Sequence, residues 1–320
     1  MKILVTGGAG FIGSWLCESL LQDGHTVTAM DDLSTGSEEN LRLCGKSSAF
    51  RFIRDDVITS SDLPRLVAEA DCVVHLAAAV GVELVVHDPV RTIMTNVKGT
   101  ERILSCAADS KCRCIVASTS EVYGKSSNPV FSETDDLLIG PSTHSRWSYA
   151  CSKLLDEFML MAYCRNRQLP GTVVRFFNTV GPRQTGRYGM VVPRFVRAAL
   201  DNEPIRVFGT GTQTRCFCHV FDTVRALKLL IPDPRACGEV FNIGSTECVT
   251  IRQLAERVIA RLNSRSEIRV IPYSEAYEEG FEDMLHRAPD CSKMDRFFQW
   301  HAQIPLDRII DDVASSFKNA

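Results

Sequence analysis

Thr6-Gly7-Gly8-Ala9-Gly10-Phe11-Ile12-Gly13 stands directly after a short apolar, β-branched run, Lys2–Thr6, and directly before an amphipathic stretch. It fits G-x-G-x-x-G through Gly8, Gly10 and Gly13, and G-x-x-G-x-x-G through Gly7, Gly10 and Gly13. Without Cβ atoms the chain turns tightly and its backbone comes close to a pyrophosphate, at the positive end of the helix that follows. A glycine triplet alone also marks surface turns. The strand–turn–helix context makes Gly7, Gly10, Phe11, Ile12 and Gly13 a cradle for a dinucleotide.

Outward from this turn, apolar β-branched runs alternate with longer amphipathic stretches, the pattern of crossover units around a parallel sheet. Strands are expected near Lys2–Thr6, Thr26–Met30, Phe50–Asp55, Cys72–Ala77, Cys114–Ser118 and Thr172–Phe177. Helical spacing of Trp15, Leu16, Leu20 and Leu21 predicts a helix over Ser14–Asp23. Ile93, Val97, Leu104 and Ala108 predict one over Val90–Asp109, and Leu154, Leu155, Phe158 and Met161 one over Tyr149–Arg167. Right-handed crossovers then give an α/β fold with a doubly wound parallel sheet and ligands at the carboxyl ends of its strands. Past Gly181 the chain is punctuated by Pro and Gly, which predicts a smaller, loop-rich α/β lobe. The expected division is residues 1–175 for the dinucleotide-binding domain and 176–320 for the second lobe. Segments such as His219–Ile231 and Glu239–Gly244 return to the first domain.

With 45% hydrophobic and 23% charged residues, the 320-residue chain has the composition of a soluble globular protein. A net charge of −3 without a basic block argues against nucleic acid as a partner. The 13 cysteines include two C-x-C pairs, Cys112/Cys114 and Cys216/Cys218, and no C-x-x-C, so they read as thiols rather than as metal ligands. No signal-peptide core and no apolar run near the roughly 20 residues of a membrane span is present, so a cytoplasmic location with no membrane partner is expected.

Asp31 and Asp32 close the second strand, where a carboxylate accepts hydrogen bonds from an adenosine ribose and repels a 2′-phosphate; Asp31 is the favoured binder, and it selects NAD over NADP. Asp56 and Val57 after the third strand, and Leu76, Ala77 and Ala78 after the fourth, lie where an adenine and a ribose would pack. Tyr149-Ala150-Cys151-Ser152-Lys153 opens a helix and brings phenol and ammonium to one face. The adjacent cation is expected to favour phenolate and to lower the Tyr149 pKa toward that of a general base. Ser118-Thr119-Ser120-Glu121-Val122-Tyr123-Gly124 follows a strand at the ligand edge of the sheet. There Thr119 can hydrogen-bond a sugar hydroxyl, Ser120 lies beside the substrate, and Glu121 offers a carboxylate.

Gly7/Gly10/Gly13, Asp31, Thr119, Tyr149 and Lys153, with Arg175-Phe176-Phe177-Asn178-Thr179-Val180-Gly181-Pro182-Arg183, resemble the extended short-chain dehydrogenases/reductases that epimerise, dehydrate or decarboxylate nucleotide sugars. The resemblance covers essentially the whole chain. It implies a Rossmann-type domain, a tightly held NAD that oxidises the sugar at C4 and is restored within one cycle, a nucleoside-diphosphate sugar as substrate, a UDP-sugar foremost, and a homodimer. Met190–Phe195 and Val207–Arg215 resemble the family's nucleotide clamp, which includes Arg194. In it Asn178 and Arg215 would meet the diphosphate, and Val192 and Val207 the base.

Thr119-Ser120-Glu121 is similar to UDP-glucuronate decarboxylases, and also to GDP-mannose 4,6-dehydratases. Pro89–Thr100 resembles the UDP-xylose-forming decarboxylases. Ile139–Tyr149 and Glu279–Pro289 resemble the decarboxylase domain of the aminoarabinose lipid-modification pathway, which places Arg287 at the sugar carboxylate. The loop after the fourth strand carries Val85 where decarboxylases tend to have Tyr. The expected activity is decarboxylation of UDP-glucuronate to a UDP-pentose, with a 4-epimerase of UDP-glucuronate or UDP-glucose/galactose as the alternative and a 4,6-dehydratase after that. A non-catalytic NAD-binding module has no need of Thr119, Tyr149 and Lys153.

Overall fold

Ile3 and Val5 of the first strand point to one face of a sheet and Leu4 to the other, and all three are buried, as expected for a central parallel strand covered on both sides. The computed structural model describes residues 1–80, 88–186, 190–276 and 284–318. Val85, and residues 279–283 of the Glu279–Pro289 stretch, lie outside the described residues.

Seven strands form the main sheet: β1 (Lys2–Thr6), β2 (Thr26–Asp31), β3 (Phe50–Arg54), β4 (Cys72–His75), β5 (Arg113–Thr119), β6 (Gly171–Phe176) and, after the short β7 (Thr179–Val180), β8 (Ile205–Phe208), β9 (Thr214–Cys216) and β10 (Cys218–His219), β11 (Glu239–Ile243). Their order is β11-β6-β5-β4-β1-β2-β3, with every neighbouring pair parallel. The six expected strands are present, and β11 is added from beyond residue 176. The order reverses between β1 and β4, which opens a crevice at their carboxyl ends. The architecture is a Rossmann-type doubly wound sheet.

One face is covered by α1 (Phe11–Gln22), whose Leu16 and Leu20 pack with Leu227, Phe241 and Trp300. On the other, after α2 (Leu63–Glu69), α3 (Pro89–Ser110) sets Ile103 and Leu104, and α4 (Trp147–Arg167) sets Leu160, against Val73 and Val116. Pro89 sits in the first turn of α3, where its missing N–H costs nothing, and the Asp88 carboxylate accepts the Arg91 N–H at 3.0 Å.

A second core lies between α5 (Val191–Leu200), β8, and the later helices. It joins Val192, Phe195, Val207, Leu254, Ile309 and Val313. After α6 (Val220–Leu230), which packs on α1, comes β12 (Cys248–Thr250), antiparallel to β9. Cys216 and Cys248 oppose each other in that register and form a disulfide. This corrects the reading of every cysteine as a thiol: the partners are 32 residues apart and meet only through the strand pairing. Among the described residues, no helix is long and apolar enough to cross a membrane.

Candidate active site

A cavity of about 780 Å³ runs from the glycine turn, along the carboxyl ends of β1, β2, β4 and β5, to the second lobe. From Gly7 to Arg287, every site residue expected from the sequence lines it except Val207. Strand alternation turns Val207 into the second core and leaves its neighbour Phe208 lining the cavity.

Two glycines show why the turn admits nothing larger. Gly7 has φ +70, and a Cβ there would stand 2.7 Å from the Ala77 nitrogen. A Cβ on Gly13 would collide with the Gly7 carbonyl, so helix α1 could not start so close to β1. The Asp31 carboxylate at the end of β2 accepts the Ala9 N–H at 2.9 Å and the Leu33 N–H at 2.8 Å, which fixes it to the turn. Burial pushes this carboxyl up, against the pull of those N–H groups. A cradle closed to side chains, opening on a helix N-terminus with a carboxylate beside it, fits a dinucleotide with a free 2′-hydroxyl. Beneath it, buried His75 shares a 2.7 Å hydrogen bond through Nδ1 with the Thr6 hydroxyl.

Thr119 ends β5, and its hydroxyl accepts the Glu121 N–H at 3.2 Å and hydrogen-bonds the Tyr149 phenol. Lys153 follows Tyr149 on α4, and its ammonium donates to Asp156 Oδ2 at 2.6 Å. The expectation of a lowered Tyr149 pKa is therefore corrected. Burial pushes the phenol well up, the Glu121 and Asp156 charges add to this, and the Thr119 hydrogen bond and Arg287 oppose it. The cation meant to favour phenolate has its own carboxylate partner.

Glu121 is the centre of the charged part of the site. Burial alone would raise its carboxyl, but Arg146, Arg287 and Arg215 together hold it below the ordinary carboxylate value. Arg146 donates through Nη1 to Oε2, and Arg287 Nη2 stands 3.6 Å from Oε1. Arg287 also donates to Asn178 Oδ1 at 3.3 Å, while the Asn178 amide donates to the Cys216 carbonyl at 3.1 Å. Arg215 donates to the Thr214 and Met284 carbonyls, each at 2.8 Å. Deeper in the second lobe the Arg194 guanidinium stacks 4.4 Å above the Phe208 ring, and Gln213 Nε2 donates to the Tyr273 hydroxyl at 3.1 Å.

Three contributions had no assigned role from the sequence. Arg146 lies within a stretch that carried the resemblance, but nothing local announces a buried arginine at the start of a helix. Asp156 stands at i+3 from Lys153, a spacing that makes them neighbours and was the available signal. Phe208 and Gln213 lie inside the Val207–Arg215 stretch that carried the clamp resemblance, and Gln213 Nε2 donates to the Phe208 carbonyl at 2.9 Å; Tyr273 joins them only through tertiary packing.

The strand order, the glycine turn and the Tyr149–Lys153 helix define a dinucleotide-dependent enzyme of the α/β class. The chain matches the NAD dependent epimerase/dehydratase family over residues 3–244 and belongs to it, with NAD as the cofactor. It is 39% identical to the UDP-N-acetyl-alpha-D-glucosaminuronate decarboxylase of Bacillus cytotoxicus, over 99% of this chain and 98% of that one. It is 33% identical to UDP-glucuronic acid decarboxylase 1 of Danio rerio, over 99% of this chain and 72% of the relative. Among solved structures, the UDP-glucuronic acid 4-epimerase of Bacillus cereus, in complex with UDP-glucuronic acid and NAD, superimposes with a TM-score of 0.87 at 29% identity, covering 100% of this chain and 99% of that one.

Proposed function

We propose that the protein decarboxylates UDP-glucuronate to a UDP-pentose through transient oxidation at C4. The observation that carries this reading is Glu121, half-buried and flanked by the buried Arg146 and Arg287, beside Tyr149. Exchange of hydrogen at C4 alone needs Thr119, Tyr149 and Lys153. A pair of buried arginines at the sugar end is what a uronate carboxylate requires. The decarboxylase relatives at 33% and 39% identity, aligned over nearly the whole chain, support it further.

NAD, held by the glycine turn and Asp31, would supply the acceptor for the C4 hydride and would return that hydride to C4 after decarboxylation. Tyr149 takes the proton of the C4 hydroxyl, Thr119 orients that hydroxyl, and Lys153 orients the nicotinamide ribose. The C4 ketone is β to the carboxylate, so breaking the bond between C5 and the carboxylate leaves an enolate that the ketone stabilises. Arg287 holds the carboxylate before it departs. Arg146 stays with Glu121, which keeps that carboxylate ionised and in place to orient the solvent proton donor for C5.

Incubation with UDP-glucuronate, read by mass, tests the proposal. Loss of carbon dioxide supports it, and an unchanged mass with a new epimer replaces it with the epimerase reading. UDP-N-acetylglucosaminuronate belongs in the same experiment, because the relative at 39% identity bears the name of that substrate. Faster carbon dioxide loss from the acetamido sugar would move the assignment at C2 and leave the chemistry at C4 and C5 intact.

The assembly we propose is a homodimer. Val90, Ile93 and Met94 on α3 and Leu155 and Phe158 on α4 are exposed on two adjacent helices. A second copy of this chain would cover that apolar surface. Light scattering should give twice the chain mass, and Phe158→Glu should reduce it toward the monomer.

A further inference from the structure

Asp156 is 0% exposed, one turn beyond Lys153 on the inner side of α4. Carboxylates are almost never buried this completely unless paired. The partner is the ammonium of Lys153, itself 2% exposed, with Nζ donating to Oδ2 at 2.6 Å. Lys153 also lines the cavity, so the pair connects the interior of the helix packing to the reaction site.

We propose that Asp156 is a positioning residue for this reaction: its carboxylate anchors the Lys153 ammonium and draws part of its charge away from the Tyr149 phenol. The proposal rests on the reading of Tyr149 as the base. An ammonium has three N–H donors, and the bond to Asp156 fixes one of them, which orients the other two. Among the described residues, these groups act on the three. Lys153 is met by Asp156 on its own helix and by the His75 imidazole from β4. Asp156 is met by Lys153, by the Thr100 hydroxyl from α3 and by Glu157 on α4. Tyr149 is met by Thr119 and Glu121 from the end of β5, by Asp156 and by Arg287. Asp156 thus acts on the phenol twice, through its own negative charge and through its hold on Lys153. Both effects favour the protonated phenol, so in the protein without substrate the base is kept from ionising early.

Asp156→Asn keeps the shape and an acceptor oxygen and removes the charge. Ultraviolet difference titration against Tyr149→Phe isolates one phenol among the six tyrosines. Its midpoint should fall by about one pH unit, the smaller end of what loss of a nearby like charge produces. The acid limb of kcat should move down with it, giving about tenfold more turnover, relative to the plateau, at a pH well below that limb. A folded Asp156→Asn protein whose Tyr149 midpoint and acid limb both stay in place overturns the proposal. Lower thermal stability with no change in either curve also overturns it, since it assigns Asp156 to packing alone. If the amide is not accommodated, Asp156→Ser removes the same charge with less bulk and carries the same measurements. A Tyr149→Phe protein that keeps its activity overturns the base reading itself, and that result is distinct from a fixed midpoint in Asp156→Asn.

Discussion

The guanidinium of Arg287 stands 3.6 Å from the carboxylate of Glu121, although the first comes from near the end of the chain and the second from the turn after β5. Arg146 binds the other oxygen of the same carboxylate. A uronate carboxylate entering the cavity can take Arg287 from Glu121 without leaving Glu121 as an unpaired charge, because Arg146 stays with it. Arg287→Ala should therefore cut carbon dioxide release by about 10²-fold, the effect of misplacing the reacting carboxylate. C4 oxidation should suffer much less, so 4-keto sugar and reduced cofactor should accumulate. Glu121→Gln should show the same split if the Glu121 carboxylate orients the proton donor for C5. Carbon dioxide release and the absorbance of the reduced cofactor, followed together, check both variants; parallel loss of the two signals would place Arg287 in binding alone.

Tyr149→Phe removes the hydroxyl that bonds Thr119 and keeps the ring that fills the site. General-base help is worth about 10²–10⁴-fold, and C4 oxidation cannot begin without it, so turnover should fall by at least that factor. Affinity for NAD and for the UDP-sugar should change little. A Phe variant within tenfold of the parent would remove Tyr149 from the role.

Asp31 holds the glycine turn through two backbone N–H groups, and its carboxylate borders the cofactor end of the cavity. A 2′-phosphate there would meet a buried negative charge, with no basic residue in the following Asp32-Leu33-Ser34. Binding titrations should show a clear preference for NAD over NADP in the parent. Asp31→Ala should narrow that preference and also weaken both cofactors, since the turn loses an anchor. Equal affinities in the unmodified protein would contradict the assignment.

The parallel sheet was legible because buried parallel strands are continuous apolar runs and the glycine turn marks the first crossover. Each expected strand is present to within two residues at its ends. The nucleotide end was less legible: Val207 and Phe208 lie in one short strand, and a shift of a single residue exchanges core for cavity. Arg146, 25 positions from Glu121, has no local pattern that would announce its burial. The same holds for the Cys216–Cys248 pairing. Spacing identified Tyr149 and Lys153, but the proton affinity of Tyr149 depends on how deeply it is buried and on Glu121, Asp156 and Arg287, which only the folded chain assembles.

His75 gives the fold a dependence on acid. Its ring is 1% exposed under the glycine turn and bonded to Thr6; burial first, and then the charge of Lys153, pushes its pKa down to about 3. In the unfolded chain the same imidazole takes up a proton near the ordinary value of about 6.5. Above that value neither state binds the proton and His75 has no influence on stability. As the pH falls below it, the unfolded state gains a proton that the folded state refuses, so stability decreases by about 1.4 kcal/mol per pH unit until the folded pKa is reached. At about pH 5 the loss from this residue is about 2 kcal/mol. His219, whose pKa burial also lowers while Asp312 opposes, adds to the loss in the same direction, so the contribution of His75 must be read as a difference. His75→Gln, which keeps a neutral hydrogen-bonding group, should start from a lower stability at about pH 7.5 but lose less on going to about pH 5. Urea unfolding of parent and variant at the two pH values measures this. An equal loss in both proteins would mean that His75 is not the group that resists protonation in the fold.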